Sequence, residues 1–168
     1  MHIPEITSDY LYAAILISKS STVKHIGKMV KLLNKYDYDA LAFRGMSGAL
    51  LAPILALKCK KTLMMVRKPK STDTHHSMYL VEGDRLCKRY IIIDDFISSG
   101  RTMKEIIYNV HAFAPEAICV GAMLYMDILK GYESSPRIQS VTEHVADAKR
   151  ADYAAVNPDQ YRIEVEAK

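Results

Sequence analysis

Two adjacent carboxylates and a turn rich in hydroxyl groups lie side by side in this 168-residue chain. Asp94 and Asp95 follow an apolar run, and the residues from Ser98 to Thr102 add hydroxyls, a glycine and an arginine. Such a turn at the start of a helix offers backbone N–H groups and hydroxyls to a phosphate. The carboxylates would repel phosphate but suit sugar hydroxyls or a hydrated Mg²⁺. The alternative interpretation is an ordinary strand-to-helix loop with solvated acids.

Positive charge is concentrated in one segment of the chain. The net charge is +4, yet residues 58–70 carry +6 with no acid, which leaves −2 for the remainder. The basic residues of this segment are Lys58, Lys60, Lys61, Arg67, Lys68 and Lys70. A basic cluster suits an anionic ligand, and a solvated rim is the alternative.

Short apolar runs interleaved with helical patterns must position these groups. The apolar runs occupy 40–43, 62–66, 90–93 and 117–125. The helical patterns occupy 8–17, 23–36, 49–57 and 102–113. Continuous apolar strands alternating with helices are typical of an α/β fold, a doubly wound, mainly parallel sheet flanked by helices. We predict one domain over 1–168, with ligands bound at the carboxyl ends of the strands.

A polar stretch interrupts this alternation. Residues 71–77 form a polar run, and two strand-like pieces follow around Gly83 and Asp84. Long polar loops inside compact domains are usually functional. The pattern predicts a lid hinged on a small hairpin.

The segment from Ile91 to Met103 resembles the phosphoribosyl pyrophosphate (PRPP) signature of the type I phosphoribosyltransferases of the orotate and adenine kind. That signature has four apolar residues, two acids, two variable residues and a Ser/Thr-rich glycine turn that ends in Thr. In this chain the two acids are Asp94 and Asp95, and the turn ends in Thr102. The resemblance implies that family's fold, with a flexible catalytic loop and a small hood built from 1–20 and 150–168. It also implies Mg²⁺-dependent transfer of 5-phosphoribosyl from PRPP to a nucleobase-like acceptor, of orotate or purine type, with release of pyrophosphate.

The resemblance assigns roles to individual residues. Those implied for the ribose and the 5′-phosphate are Asp94, Asp95, Ser98, Ser99, Gly100, Arg101 and Thr102. Asp94 and Asp95 would also hold Mg²⁺, directly or through water. The residues implied to take part in catalysis are Asp94, Asp95, Lys68 and Lys70.

A second segment, from Phe43 to Ala49, looks like the family's pyrophosphate loop, which implies a cis peptide bond between Phe43 and Arg44. The residues implied for pyrophosphate are Arg44, Gly45, Arg67, Lys68, Lys70 and His75, with His76 as the alternative to His75. Tyr125 and Asp127 are candidates for base contacts, and a core tyrosine and a helix cap are the alternatives. The alternating segment 161–165 is a further candidate for the hood.

Other functional classes are weighed by composition. No run approaches a membrane span and no leader pattern begins the chain, so we expect a cytoplasmic protein. Three cysteines without CxxC spacing indicate neither a zinc site nor disulfides. The modest charge argues against nucleic acid, and the resemblance implies a homodimer. The alternatives are a PRPP-binding regulatory protein that binds nucleic acid or a protein partner, and a hydrolase or kinase-like relative acting on phosphorylated ribose.

Overall fold

The computed structural model describes residues 19–68, 80–130 and 138–141. The elements in these ranges are α1 (Lys19–Leu33), β1 (Ala40–Arg44), α2 (Gly45–Cys59), β2 (Thr62–Val66), β3 (Val81–Glu82), β4 (Arg89–Asp94), α3 (Arg101–Phe113), β5 (Ile118–Leu124) and α4 (Tyr125–Lys130). The predicted helix at 8–17, the lid, the strand at 161–165 and nearly all of the hood lie outside the described residues. Within those ranges, each helix is too short or too polar to cross a membrane.

The five strands form one sheet in the order β3-β2-β1-β4-β5. Strands β2, β1, β4 and β5 run parallel, and β3 joins the edge of the sheet antiparallel to β2. The prediction of a doubly wound, mainly parallel sheet flanked by helices is thus confirmed. Its cause is burial on both faces, because a parallel sheet covered by helices requires continuous apolar strands.

Two apolar clusters cover the two faces of the sheet. Alternate residues of β4 point to opposite clusters, so that Ile92 packs in one and Ile91 in the other. The first cluster is completed by α3, which contributes Ile106. The second is completed by α1 and α2, which contribute Met29 and Leu55.

The parallel register aligns the carboxyl ends of the central strands. Arg44 at the end of β1 is paired with Val66 at the end of β2. Ala42 is paired with Ile92, so Arg44 lies level with Asp94 at the end of β4. Three consecutive strands of the sheet therefore deliver the residues that follow them to a single edge.

The connection between β1 and α2 differs from the prediction in two respects. Helix α2 begins at Gly45, four residues before the predicted helix at 49–57. The implied cis bond between Phe43 and Arg44 is wrong, because the described residues contain trans peptides alone. Arg44 keeps an extended backbone, with φ −142° and ψ 139°, and the turn is made at Gly45 by a left-handed φ of 71°.

The predicted hairpin around Gly83 and Asp84 is also wrong. The first piece, Val81–Glu82, forms β3 and pairs with β2 across residues 67–80. The second piece is a turn, in which the Asp84 carboxylate accepts the N–H of Leu86 at 2.8 Å. A carboxylate that caps its own turn competes with ladder hydrogen bonds.

Two helical glycines give a matched pair for testing the packing. A Cβ on Gly48 would lie 2.6 Å from Phe43 Cβ and 2.9 Å from the Ile93 carbonyl oxygen, whereas a Cβ on the exposed Gly27 would meet nothing within 4 Å. We expect Gly48→Ala to lower the free energy of unfolding by about 1–3 kcal/mol. Gly27→Ala should raise it by about 0.5–1 kcal/mol. Urea denaturation followed by circular dichroism measures both, and equal effects would contradict this packing.

Candidate functional site

A cavity of about 750 Å³ opens at the carboxyl ends of β1, β2 and β4. The predicted site residues that line it are Arg44, Gly45, Lys68, Asp94, Asp95, Ser98, Ser99, Gly100, Arg101 and Thr102. The other lining residues are Met46, Ser47, Leu50, Phe96, Ile97, Met103, Glu105 and Tyr125. The fold thus gathers two motifs that are separated by about fifty residues of sequence around one space.

Asp94 ends β4 with its side chain almost fully buried at the edge of this cavity. Its Oδ1 accepts hydrogen bonds from Ser47 Oγ at 2.9 Å and from the Asp95 N–H at 3.0 Å. Burial raises the pKa of the Asp94 carboxyl to about 6, and the adjacent Asp95 charge acts in the same direction. The Ser47 hydrogen bond acts against this rise. Asp94 therefore changes charge near neutrality, as residues at functional sites often do.

The turn after the carboxylates is held by hydrogen bonds to Asp95. Asp95 Oδ1 accepts the Phe96 N–H at 2.9 Å, and the Asp95 carbonyl oxygen accepts the Met126 N–H at 3.2 Å. Gly100 then caps α3 in a left-handed conformation with φ 72°. Because glycine carries no side-chain oxygen, the first N–H groups of α3 face no competing cap and suit an anion.

Two basic residues approach the cavity from β1 and β2. Arg44 is only 6% exposed, and its guanidinium forms an ion pair with Glu105 of α3. Lys68 is exposed, and its Cε lies 4.0 Å from where a Cβ on Gly45 would stand. The Lys68 side chain therefore extends over the turn that starts α2.

Among the described residues, one predicted pyrophosphate residue is not brought into this arrangement. Arg67 lies outside the cavity lining and binds Glu82 of β3, with Nε 2.7 Å and Nη2 2.5 Å from Oε1. Lys70 and His75 lie outside the described residues. Their roles stay predictions.

Sequence reasoning missed two polar residues of the cavity wall and gave a third a different role. Ser47 and Glu105 satisfy buried charged groups, and Tyr125, weighed above as a base contact, is fully buried and donates its OH to the Ser47 carbonyl oxygen at 3.0 Å. The sequence held one indication of Glu105, its i,i+4 spacing from Arg101 on a predicted helix. Asp127 accepts a hydrogen bond from Gln139 Nε2 at 3.0 Å and does not line the cavity.

The donor set of the cavity can be compared with the needs of a metal ion. The described residues hold no group of three or more His, Cys, Asp or Glu side chains arranged for a metal. Asp94 and Asp95 offer two carboxylates at the cavity edge. Mg²⁺ typically takes one or two protein carboxylates and fills its other positions with water and substrate phosphates, so this pair fits that ion.

Comparison with known proteins adds weak sequence similarity. No protein-family model matches the chain. The orotate phosphoribosyltransferase of Thermotoga maritima is 22% identical over 98 residues, which cover 58% of this chain and 50% of that protein. The transcriptional regulator GfcR of Methanocella arvoryzae is 30% identical over 104 residues, which cover 56% of this chain and 50% of that protein. The chain thus spans about half the length of these curated relatives.

Structural comparison identifies the fold. The adenine phosphoribosyltransferase of Thermoanaerobacter pseudethanolicus superposes with a TM-score of 0.50 and 18% identity, covering 75% of this chain and 83% of that one. At this identity, the likeness concerns the fold. The fold that the sequence resemblance implied is thereby confirmed.

The raised pKa of Asp94 gives a test by pH. The folded pKa of about 6 exceeds the ordinary aspartate pKa of 3.8, so ionisation between these values lowers the stability of the folded protein as pH rises. Asp94→Asn keeps an Oδ1 acceptor and removes this loss. We expect its advantage in free energy of unfolding over wild type to grow by about 2 kcal/mol from pH 4 to pH 7.5.

Urea titrations at the two pH values measure this difference. Asp37→Asn is the matched control, because the Asp37 side chain is 88% exposed. An Asp94→Asn advantage that does not change with pH would contradict the raised pKa.

Proposed function

Since this chain has the fold of the type I phosphoribosyltransferases, we propose that it transfers the 5-phosphoribosyl group of PRPP to a ring nitrogen of a nucleobase-like acceptor and releases pyrophosphate. The observation that carries the proposal is the single cavity joining the carboxylates Asp94 and Asp95, the turn at 98–102, and the basic pair Arg44 and Lys68. Each group has the chemistry that one part of PRPP requires.

The turn at 98–102 is proposed to bind the 5′-phosphate. The exposed hydroxyls of Ser98 and Ser99 and the first N–H groups of α3 supply donors, and Arg101 adds a positive charge. This contact is remote from the anomeric carbon, so its binding energy serves orientation rather than bond making.

The part of the cavity lined by residues that follow β1 and β2 is proposed to bind the pyrophosphate. Lys68 and the Arg44–Gly45 turn lie there, and Lys70 and His75 would join them from the loop that follows. Arg67 would contribute only after leaving Glu82. Donors placed where charge develops on a leaving group stabilise the transition state.

Asp94 and Asp95 are proposed to hold the ribose hydroxyls and Mg²⁺, directly or through water. When bound, Mg²⁺ supplies Lewis-acid stabilisation of the pyrophosphate. Charge balance favours a divalent cation. The described lining holds three cationic side chains and three carboxylates, so it offers no net positive charge to a polyanion. These are Arg44, Lys68, Arg101, Asp94, Asp95 and Glu105.

The reaction is proposed to pass through an oxocarbenium-like transition state with inversion at the anomeric carbon, as in glycoside chemistry. The carboxylates of Asp94 and Asp95 lower the energy of the positive charge on the ring. Lys68 and Lys70 offset the charge of the departing pyrophosphate, and closure of the loop at 68–77 would exclude water as a competing nucleophile.

The acceptor is proposed to be of orotate or purine type, supported by the relative named orotate phosphoribosyltransferase. A homodimer in the cytoplasm remains our expectation. The hood at 1–20 and 150–168 would select the acceptor.

Turnover with a panel of bases tests the proposal. With PRPP, Mg²⁺ and orotate or a purine base, we expect pyrophosphate release, and Asp94→Asn or Asp95→Asn should reduce kcat/KM at least tenfold, or about 1.4 kcal/mol of barrier. Asp37→Asn is the control of equal charge. Chromatography of the product distinguishes a nucleotide from ribose 5-phosphate, which a hydrolase would form. Absence of turnover with every base would overturn the proposal.

A PRPP-binding regulatory protein is the second candidate function. The observations that favour it are the 30% identity to a transcriptional regulator and a row of exposed lysines on α1. The row consists of Lys24, Lys28 and Lys31 on α1, and Lys35 continues it in the turn after the helix. The spacing of three and four residues places the first three lysines on one face of the helix.

Salt dependence distinguishes the regulatory candidate from the enzyme. If this face contacts nucleic acid, the affinity for a DNA duplex or single-stranded RNA should fall steeply with salt. The double variant Lys24→Glu/Lys28→Glu should reduce the slope of log K against log salt by about 2. Lys88→Glu, an exposed lysine away from α1, is the control. A slope near zero for the wild type would remove this candidate.

A further inference from the structure

Glu105 lies in the wall of the cavity with only 6% of its surface exposed. Its two carboxylate oxygens bind different arginines. Oε2 forms the ion pair with Arg44 at the end of β1, and Oε1 accepts a hydrogen bond from Arg101 Nε at 3.0 Å. One buried carboxylate thus connects the two arginines that line the cavity.

The two contacts differ in environment. The Arg44 side chain is 5% exposed, so its charge needs a buried partner. The Arg101 side chain is 69% exposed, and a hydrogen bond to a carboxylate adds little stability to a residue so open to water. The contact does, however, restrict the rotamers of a long side chain at the start of α3. The Nη groups of Arg101 take no part in it.

We propose that Glu105 is a positioning residue. It holds Arg101 in the orientation needed to bind the 5′-phosphate of the substrate and Arg44 in the orientation needed to bind its pyrophosphate. The inference rests on the proposed function, because it assigns those phosphates to the cavity. Through Nε, Glu105 fixes the plane of the Arg101 guanidinium at the 5′-phosphate end. Through Oε2, it fixes Arg44 in the wall at the pyrophosphate end.

The sign of the effect separates positioning from simple electrostatics. A carboxylate beside an anion repels it, so removing the Glu105 charge should strengthen anion binding if electrostatic repulsion dominates. If Glu105 acts through the arginines, its removal should weaken binding, because two long side chains then lose their restraint.

Calorimetric titration of ribose 5-phosphate and of inorganic pyrophosphate with Mg²⁺ tests this. For Glu105→Gln, we expect Kd to rise about tenfold for each probe, or about 1.4 kcal/mol. Glu116→Gln is the control of equal charge, because Glu116 is exposed in the turn before β5. Tighter or unchanged binding by Glu105→Gln would overturn the proposal.

A double-mutant cycle excludes a merely structural effect. Arg101→Met should weaken ribose 5-phosphate binding, and adding Glu105→Gln in that background should cause little further loss for this probe. A structural defect would instead give additive losses, which would overturn the proposal. If Glu105→Gln does not fold, Glu105→Asp takes its place in the cycle. It keeps the charge but is one methylene too short to bind both arginines, so we expect a smaller loss that also vanishes with Arg101→Met.

The wild type distinguishes the two proposals. If it binds neither probe, the proposed function fails and this inference fails with it. If it binds both probes and Glu105→Gln binds them equally well, the positioning role alone fails.

Discussion

Two charged side chains are buried at the ends of the neighbouring strands β1 and β4. The need to give each charge a partner determines how the surrounding helices pack. Arg44 at the end of β1 is 6% exposed, and Asp94 at the end of β4 is 4% exposed. An unpaired buried charge costs several kcal/mol, so each requires a partner in a fixed place. Glu105 of α3 meets Arg44, and Ser47 of α2 donates to Asp94. The charged side chain at the end of each strand therefore has its partner on the helix that follows the other strand.

This exchange of partners draws the starts of the helices together. Ser47 lies in the first turn of α2, and its carbonyl oxygen accepts the OH of Tyr125, the first residue of α4. The Asp95 carbonyl oxygen accepts the N–H of Met126, one residue further along α4. The cavity is the space left between helix starts that are linked in this way, so its shape depends on contacts between elements rather than on any single loop.

This origin explains what the sequence could and could not predict. Strand β2 matches its prediction at 62–66, because an apolar run of only five residues is too short for a helix. The sequence predicts a loop where the first turn of α2 lies, because the two glycines there indicate a turn. The close packing of Gly48 against β1 and β4, which explains that glycine, is visible only in the structure. The motif after β4 can be recognised from the sequence because its residues are contiguous.

The contact between Glu105 and Arg44 cannot be recognised in this way. The order of the strands in the sheet, rather than the spacing of residues, brings these two side chains together. The family resemblance implies a pyrophosphate role for Arg67, and the sequence does not show that Glu82 is its partner, because that contact requires β3 to lie beside β2.

The strand order also explains the order of chemical groups along the cavity. Strands β2, β1 and β4 are neighbours and end in register, and adjacent strands lie about 4.8 Å apart, so their ends span about 10 Å. Lys68 follows β2, Arg44 ends β1, and Asp94 and Asp95 lie at the end of β4. Basic side chains therefore follow β2 and β1, carboxylates lie at the end of β4, and the Glu105 carboxylate holds Arg101 near Arg44. The charge found at each point along this edge therefore follows from the order of the strands, because neighbouring groups come from segments that are far apart in the sequence.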